Sequence, residues 1–188
     1  MSTPVQLCSN ALLSIGSKPI NSFEDLTDAA QAARSLYPTV RDAILRAHPW
    51  NCAIKRVVLS PDAIAPAFDY AYQYTVPGDW LRTMSVGRVG DEPEYKAEGR
   101  KILTDASALY LRYIFRNTVT GSWDALLIQC VEVAMAAALA PAIPRDLNKA
   151  KAKQFELEQL LKQARAVDGM DETPETVGDS PLLAIRYS

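Results

Sequence analysis

The chain has 188 residues, of which 48% are hydrophobic, and a formal net charge of −2. This length predicts one globular unit or two small lobes with a sizeable core, and the charge excludes a broadly basic nucleic-acid-binding protein. Three widely spaced cysteines without a CxxC pair argue against a disulfide framework and a zinc site, so we expect buried thiols in a reducing compartment. We find no signal-peptide pattern and no apolar run that could span a bilayer, and therefore expect a soluble protein made in a cytoplasm.

The first fifty residues predict two helices. Residues 4–15 carry their apolar side chains on one stripe, and Gly16 follows as the residue type that forms a left-handed C-cap. The second stretch covers residues 28–47, and Pro49 marks its end because the residue before a proline is pushed out of the helical region. Pro38 lies inside this stretch and predicts a kink or a break into two shorter helices.

The middle of the chain predicts a β structure. Residues 51–121 contain short β-branched or aromatic runs separated by turn-forming pairs such as Pro77-Gly78. Tyrosines alternate along residues 70–74, and apolar side chains alternate along residues 109–115, which places each set on one face of a sheet. We therefore predict an antiparallel meander of four or five strands.

The last third returns to helix and then changes to a tail. An alanine-rich helix over residues 123–140 is predicted to be mostly buried, and Asp146 can cap a last helix over residues 147–167. Residues 168–188 begin as an acidic, polar linker and finish with an apolar run, so they either dock on another protein or fold back loosely on their own body. The docking side chains of the first alternative are Leu182, Leu183, Ile185 and Tyr187.

Together these segments predict an α+β fold. A bundle of about four helices, two N-terminal and two C-terminal, carries an inserted antiparallel β-meander and an extended C-terminal tail. The predicted boundaries place the helical lobe at residues 1–50 and 122–167, the β lobe at 51–121 and the tail at 168–188.

Few residues are candidates for chemistry. His48 is the only histidine, and its place at a helix end favours capping or packing over catalysis. Without a second histidine or clustered thiols, no metal site is expected, and no cofactor site is predicted. The glycines of residues 87–91 do not fit a phosphate loop, which needs Gly-Lys-Ser/Thr at the start of a helix. They predict a hairpin turn.

An acidic hairpin offers the best enzymatic alternative. Its carboxylates could supply an acid and a nucleophile for glycoside cleavage, although their alternation with other polar residues is typical of a solvated hairpin. A peptidoglycan hydrolase would lose activity on Glu94→Gln or Glu98→Gln. The acids are Asp91, Glu92, Glu94 and Glu98.

A basic cluster lies where the two C-terminal helices meet. It could contact passing nucleic acid, but helical spacing spreads these side chains over several faces, which favours a solvated or partner-facing surface. The cluster comprises Arg145, Lys149, Lys151 and Lys153.

Several short sequence motifs occur one after another along residues 5–165. They are Asn10-Ala11-Leu12-x-x-Ile15-Gly16, Val40-Arg41-Asp42, His48-Pro49-Trp50-Asn51-x-Ala53, Tyr70-x-Tyr72 and Pro77-x-Asp79-x-Leu81-Arg82. In their order and spacing they resemble the tail tubular protein A and head-to-tail adaptor (gatekeeper) proteins of short-tailed bacteriophages.

The resemblance implies a structural virion protein that is not an enzyme. In that family the subunits form a ring, typically of twelve copies, which joins the portal protein to the tail nozzle (tubular) protein and continues the DNA channel. Viral DNA passes without sequence-specific binding, no membrane is involved, and the protein is made in the host cytoplasm. The motif residues are then structural, and Arg145, Lys149 and Lys153 are candidates for a ring or portal surface.

Other functions remain open at this stage. One is a phage tail component with peptidoglycan-hydrolase activity, and another is a neck or connector protein of a long-tailed phage. A small cytoplasmic α+β adaptor unrelated to phage is the third. For the head-to-tail adaptor, we expect a mostly monomeric free protein that assembles on the portal.

Overall fold

The computed structural model describes residues 2–170, which form an α+β fold as predicted. The helices are α1 (Pro4–Ser14), α2 (Asp28–Ala47), α3 (Ala125–Leu139) and α4 (Leu147–Met170). The strands are β1 (Ile54–Leu59), β2 (Tyr72–Thr75), β3 (Trp80–Val86), β4 (Tyr95–Glu98), β5 (Lys101–Thr104) and β6 (Leu109–Phe115). Within residues 2–170, no helix combines the length and the apolar character needed to cross a membrane.

Helix α1 is closed at both ends by local hydrogen bonds. The Thr3 hydroxyl accepts from the backbone N–H of Gln6, and the Gln6 side chain accepts from the backbone N–H of Thr3, which is a capping box. At the other end Gly16 has φ +80°, and the N–H of Ser17 donates to the carbonyl of Leu12 at 2.9 Å. This is a Schellman motif, so the predicted left-handed cap at Gly16 is confirmed.

Helix α2 is continuous through Pro38. The Thr27 hydroxyl caps its start by accepting from the N–H of Ala30 at 3.2 Å, and the helix runs unbroken to Ala47. The proline removes one backbone donor, but buried side chains on both sides of it, such as Ala33 and Ile44, hold the helix against its neighbours. The alternative of two shorter helices is therefore wrong.

Helix α3 is the centre of the helical region. It contacts α1, α2 and α4, and most of its side chains are buried, as its alanine-rich sequence predicts. The Asp124 carboxylate caps it by accepting from the N–H of Leu126 at 2.7 Å. The predicted cap of α4 is also confirmed, because Asp146 Oδ1 accepts from the N–H groups of Asn148 and Lys149 at 3.0 Å.

The strands form two three-stranded antiparallel sheets. The first has the order β1-β6-β3 and the second β2-β5-β4, so only β4 and β5 are neighbours both in sequence and in a sheet. This order differs from the predicted single meander. Strand β6 takes a central position because it contributes side chains to a hydrophobic core on each of its faces. Leu109, Leu111 and Tyr113 belong to a core with the second sheet, and Ile114 belongs to the helical core.

Two hydrophobic cores result. The larger one joins the four helices and includes Leu45, Trp50 and Ile114. The smaller one lies between the two sheets and includes Tyr74 and Ile102. Strand β6 contributes to both cores and thereby connects the helices with the second sheet.

Candidate functional site

The motif His48-Pro49-Trp50-Asn51 holds the end of α4. The Nε2 of His48 lies 3.0 Å from Asp168 Oδ2, and the backbone N–H of Asn51 donates to Asp168 Oδ1 at 3.2 Å. The Asn51 side-chain amide also donates to the Asp168 carbonyl at 3.0 Å. Sequence reasoning missed Asp168, which it assigned to the tail. Residues 168–170 are helical, and only the folded structure brings them to a loop more than a hundred residues earlier.

His48 occupies the C-cap position of α2, in extended conformation. Burial lowers the pKa of His48, and the hydrogen bond with Asp168 opposes part of that effect. The neutral imidazole is therefore favoured, with Nε2–H donating to the Asp168 carboxylate. Its ring also meets Trp50 edge-on, with centroids 4.8 Å apart, so the geometry agrees with the predicted packing of His48 at the helix end.

Trp50 is 1% exposed and belongs to the helical core. Its indole N–H donates to the carbonyl of Ile44 at 3.0 Å, which satisfies a carbonyl in the last turn of α2. The large ring thus fastens the end of α2 to the chain that leads into β1.

The motif Pro77-x-Asp79-x-Leu81-Arg82 forms a second joint, at the start of β3. Asp79 accepts from Lys55 Nζ at 2.6 Å and from the Tyr113 hydroxyl at 3.0 Å, so its carboxylate connects β1 with β6. Burial raises the pKa of Asp79, but the hydrogen bonds from Lys55 and Tyr113 outweigh this, and the pKa lies below its ordinary value.

Other residues of this motif act through their backbones. The carbonyl of Pro77 accepts from the N–H of Trp80 at 3.1 Å, which closes the turn before β3. The carbonyl of Leu81 accepts from the guanidinium of Arg46 in α2. Arg82 is half-buried and stands opposite Ile114 in the sheet.

Two more motif residues join separate elements. The Asn10 side chain in α1 donates to Glu132 in α3 at 2.7 Å. Asp42 in α2 accepts from Nε of Arg116, just after β6, at 2.6 Å, and from its neighbour Arg41 at 2.8 Å. This carboxylate ties the helices to the first sheet.

Two lysines of the predicted basic cluster have identified partners. Lys149 Nζ donates to the carbonyl of Ile15 at 3.0 Å, where it satisfies the end of α1, and Lys153 forms an ion pair with Glu156 at 2.9 Å. Arg145 lies in the turn before α4 with φ +53°. Lys149 and Lys153 therefore face different neighbours.

The predicted acidic hairpin is exposed throughout. Glu98 forms an ion pair with Lys96 at 3.2 Å, and the carbonyl of Glu94 accepts from the Thr104 hydroxyl at 2.8 Å. The turn before β4 is closed by backbone hydrogen bonds between Arg88 and Asp91. All four candidate acids, Asp91, Glu92, Glu94 and Glu98, are exposed.

The three cysteines are free, and Cys8 and Cys130 are buried as predicted, whereas Cys52 is only partly buried, so the prediction is wrong for that thiol. Burial raises the pKa of Cys8 to about 12 and that of Cys130 to about 11, so both thiols are protonated at neutral pH. In the part of the chain that the structure describes, no group of three or more His, Cys, Asp or Glu side chains could hold a metal ion.

A comparison with models of known protein families and with curated proteins finds no match for this chain. The resemblance to phage head-to-tail adaptors therefore depends on the sequence motifs, and the function that it implies stays a prediction. The predicted docking residues Leu182, Leu183, Ile185 and Tyr187 lie outside the described residues.

The Asp79 joint predicts a loss of stability in acid. Because the folded pKa is below the unfolded value of about 4, the contribution of Asp79 is fully present above that pH and is lost as the pH falls through the folded pKa. With 32% of this side chain exposed, we expect Asp79→Asn to lower the free energy of unfolding by about 1 kcal/mol at pH 7. Urea unfolding at pH 7 and near pH 3 measures both effects.

Between pH 7 and about pH 3, the free energy of unfolding of Asp79→Asn should fall by less than that of the wild type. Glu158→Gln, which removes an exposed carboxylate on α4, is the matched control and should behave like the wild type at pH 7. If acid lowered the free energy of unfolding of Asp79→Asn as much as that of the wild type, Asp79 would not be a source of the acid dependence.

Proposed function

We propose that the chain is a structural virion protein, a head-to-tail adaptor of a short-tailed bacteriophage. Its copies form a ring that joins the portal protein to the tail nozzle and continues the DNA channel. The free protein is mostly monomeric and assembles when it meets the portal.

The positions of the motif residues, at joints between separate helices and strands, support this proposal best. Asn10 joins α1 to α3, His48 and Asn51 join α2 to α4, and Asp79 joins β1 to β6. These residues hold separate elements in one geometry rather than surrounding a cleft. A ring subunit needs such stiffness, because each heterologous contact must repeat at the same angle for the ring to close.

The outer face of α4 is the best candidate for a contact with a neighbouring subunit. The helix has 24 residues, which corresponds to a length of about 36 Å, and its main contact in the described chain is with α3. Phe155 is 65% exposed on it, and Leu147 at its start is 66% exposed. An exposed aromatic side chain on a long helix is a suitable anchor for a heterologous interface.

Light scattering of the protein, alone and mixed with the portal ring of the same phage, tests the proposal. We expect a monomer alone and co-migration with the portal at about one copy per portal subunit. A protein that stays monomeric in the presence of the portal would overturn the assignment. A stable ring without the portal would overturn only the assembly order.

The variant Phe155→Glu tests the α4 face in the same assay. It should weaken ring formation on the portal by about tenfold or more, because a charge replaces an apolar anchor at the interface. Leu26→Glu is the matched control, since Leu26 is 97% exposed but lies in the loop before α2. Equal assembly by both variants would show that α4 does not form the contact.

A further inference from the structure

Strand β1 forms an open edge of the first sheet. In the order β1-β6-β3 it pairs with β6 alone, and its six residues follow one register without a shift. Within residues 2–170, no backbone group outside the sheet bonds to this strand, and Val58 near its end is 60% exposed. An edge that is regular, free of proline and of this length can accept a further strand.

The direction of the backbone groups in β1 follows from its partner β6. The carbonyl of Tyr110 in β6 accepts from the N–H of Gly87, just after β3, at 2.8 Å, so the backbone groups of Tyr110 face β3. Val58 stands opposite Tyr110, and the two form a pair without mutual backbone hydrogen bonds. The N–H and C=O of Val58 therefore point to the open edge. By alternation along the strand, those of Arg56 and Ile54 do the same.

The other outer strands are less suited to such pairing. Beside β2, the backbone N–H of Asp62 donates to the carbonyl of Gln73 at 2.8 Å and covers part of that edge. On β3 the carbonyl of Leu81 accepts from the guanidinium of Arg46, and the register with β6 shifts twice. Strand β4 has only four residues, two of them charged. Short length, charges and register shifts all protect a strand edge from pairing, so β1 is the most available one.

The described residues end beside the start of β1. The side-chain amide of Asn51, three residues before Ile54, donates to the carbonyl of Asp168 at 3.0 Å, which holds the end of α4 there. Residues 171–181 can span up to about 37 Å, whereas the six residues of β1 span about 20 Å. The residues after 181 can therefore reach either end of this strand.

Residues 182–187 have the sequence of a strand that could pair with this edge. They contain neither proline nor glycine, and they are Leu182-Leu183-Ala184-Ile185-Arg186-Tyr187. Alternate side chains of a strand share one face, so the apolar side chains at 183, 185 and 187 would lie together. In β1 the side chains of Val57 and Leu59 pack against the core between the two sheets. The apolar face of the added strand would extend this surface.

We propose that residues 182–187 form a strand that pairs with β1 of their own chain. The pairing is antiparallel, which is the more stable arrangement per residue. Each β1 residue with backbone groups on the open edge then has a partner, and the pairs are Leu182 with Val58, Ala184 with Arg56, and Arg186 with Ile54. A shift by two residues would place Arg186 opposite Arg56, where like charges repel. This contact closes the edge of the first sheet and is independent of the proposed ring.

Amide hydrogen exchange, measured by NMR on the full-length protein, tests this pairing. The N–H groups of Arg56 and Val58 bond only to the added strand, whereas the N–H of Val57 faces β6 with or without it. We expect exchange at Arg56 and Val58 to be about tenfold or more slower than in an unstructured peptide of the same sequence. Unprotected amides at Arg56 and Val58, in a protein that protects Val57, would overturn the proposal.

A proline in the added strand links the protection of β1 to residues 182–187. Ala184→Pro removes an N–H that the pairing with Arg56 needs, so exchange at Arg56 and Val58 should become about tenfold or more faster, with Val57 unchanged. Thr176→Pro is the matched control, because it places the same constraint between α4 and the added strand, and it should leave exchange at all three amides unchanged. Equal exchange in the two variants would contradict the pairing.

The nuclear Overhauser effect between Hα atoms tests the register and the identity of the paired chain. Leu183 and Val57 stand opposite each other in the proposed register without mutual hydrogen bonds, where Cα atoms are about 4.5 Å apart, so we expect a strong effect between their Hα atoms. Its absence would overturn the register. In a mixture of isotope-enriched and unenriched chains, no such effect should arise between the two kinds of chain. An effect between them would overturn pairing within one chain in favour of a second copy.

Discussion

Replacing Trp50 with alanine is expected to lower the free energy of unfolding by about 3–5 kcal/mol. Trp50 is 1% exposed, and its removal leaves a cavity where the end of α2 meets the chain leading into β1. The carbonyl of Ile44 also loses its indole donor, and the His48 ring loses its edge contact. Chemical unfolding followed by far-UV circular dichroism measures the change.

Trp50→Phe is the matched control. It keeps a large ring in the core but removes the N–H donor, so the expected loss is about 1–2 kcal/mol. A larger loss in Trp50→Ala than in Trp50→Phe identifies packing as the main contribution of this side chain. An alanine variant within about 1 kcal/mol of the wild type would show that the ring does not fill the core as described.

Gly87→Ala is the second substitution with a large expected effect. Gly87 has φ +96°, and an added Cβ would lie 2.6 Å from Pro93 Cδ and 2.8 Å from the Cα of Glu92, closer than such atoms can approach. The hairpin backbone would have to move to relieve these contacts. The alanine would also carry the strain of a left-handed backbone conformation. We expect a loss of about 3 kcal/mol or more, measured by urea unfolding.

Gly90→Ala in the same hairpin is the matched control. Gly90 has φ +81°, but nothing lies within 4 Å of an added Cβ, so only the backbone strain of about 1–2 kcal/mol applies. Equal losses of unfolding free energy in the two variants would mean that the hairpin backbone can shift around Gly87 at no cost in stability. A larger loss at Gly87 would show that the close approach of residues 92 and 93 constrains the turn.

Helix ends could be predicted from the sequence because their causes are local. Gly16 supplies the left-handed residue that the end of α1 needs, and the Asp146 carboxylate reaches N–H groups two and three residues away. The predicted bounds of α2, residues 28–47, agree with the structure. Each of these features depends on neighbours within a few residues, which the sequence lists in order.

The pairing of strands could not be predicted in the same way. The alternation in residues 109–115 identified a strand but not its partners. Strand β6 lies between β1 and β3 because Ile114 is needed in the helical core while Leu109 and Leu111 are needed between the sheets. That choice depends on cores assembled from distant segments, and periodicity carries no information about it.

The sequence by itself determined the α+β class, most helix bounds with their caps, and the burial of Cys8 and Cys130. Only the tertiary structure decided that Asp168 meets His48, that Lys149 satisfies the end of α1, and that Arg56 and Arg112 stand side by side. The physical reason is distance along the chain. A cap or an apolar stripe is settled within a few residues, whereas these contacts join segments about 56 to 134 residues apart, which only the packing of the two cores brings together.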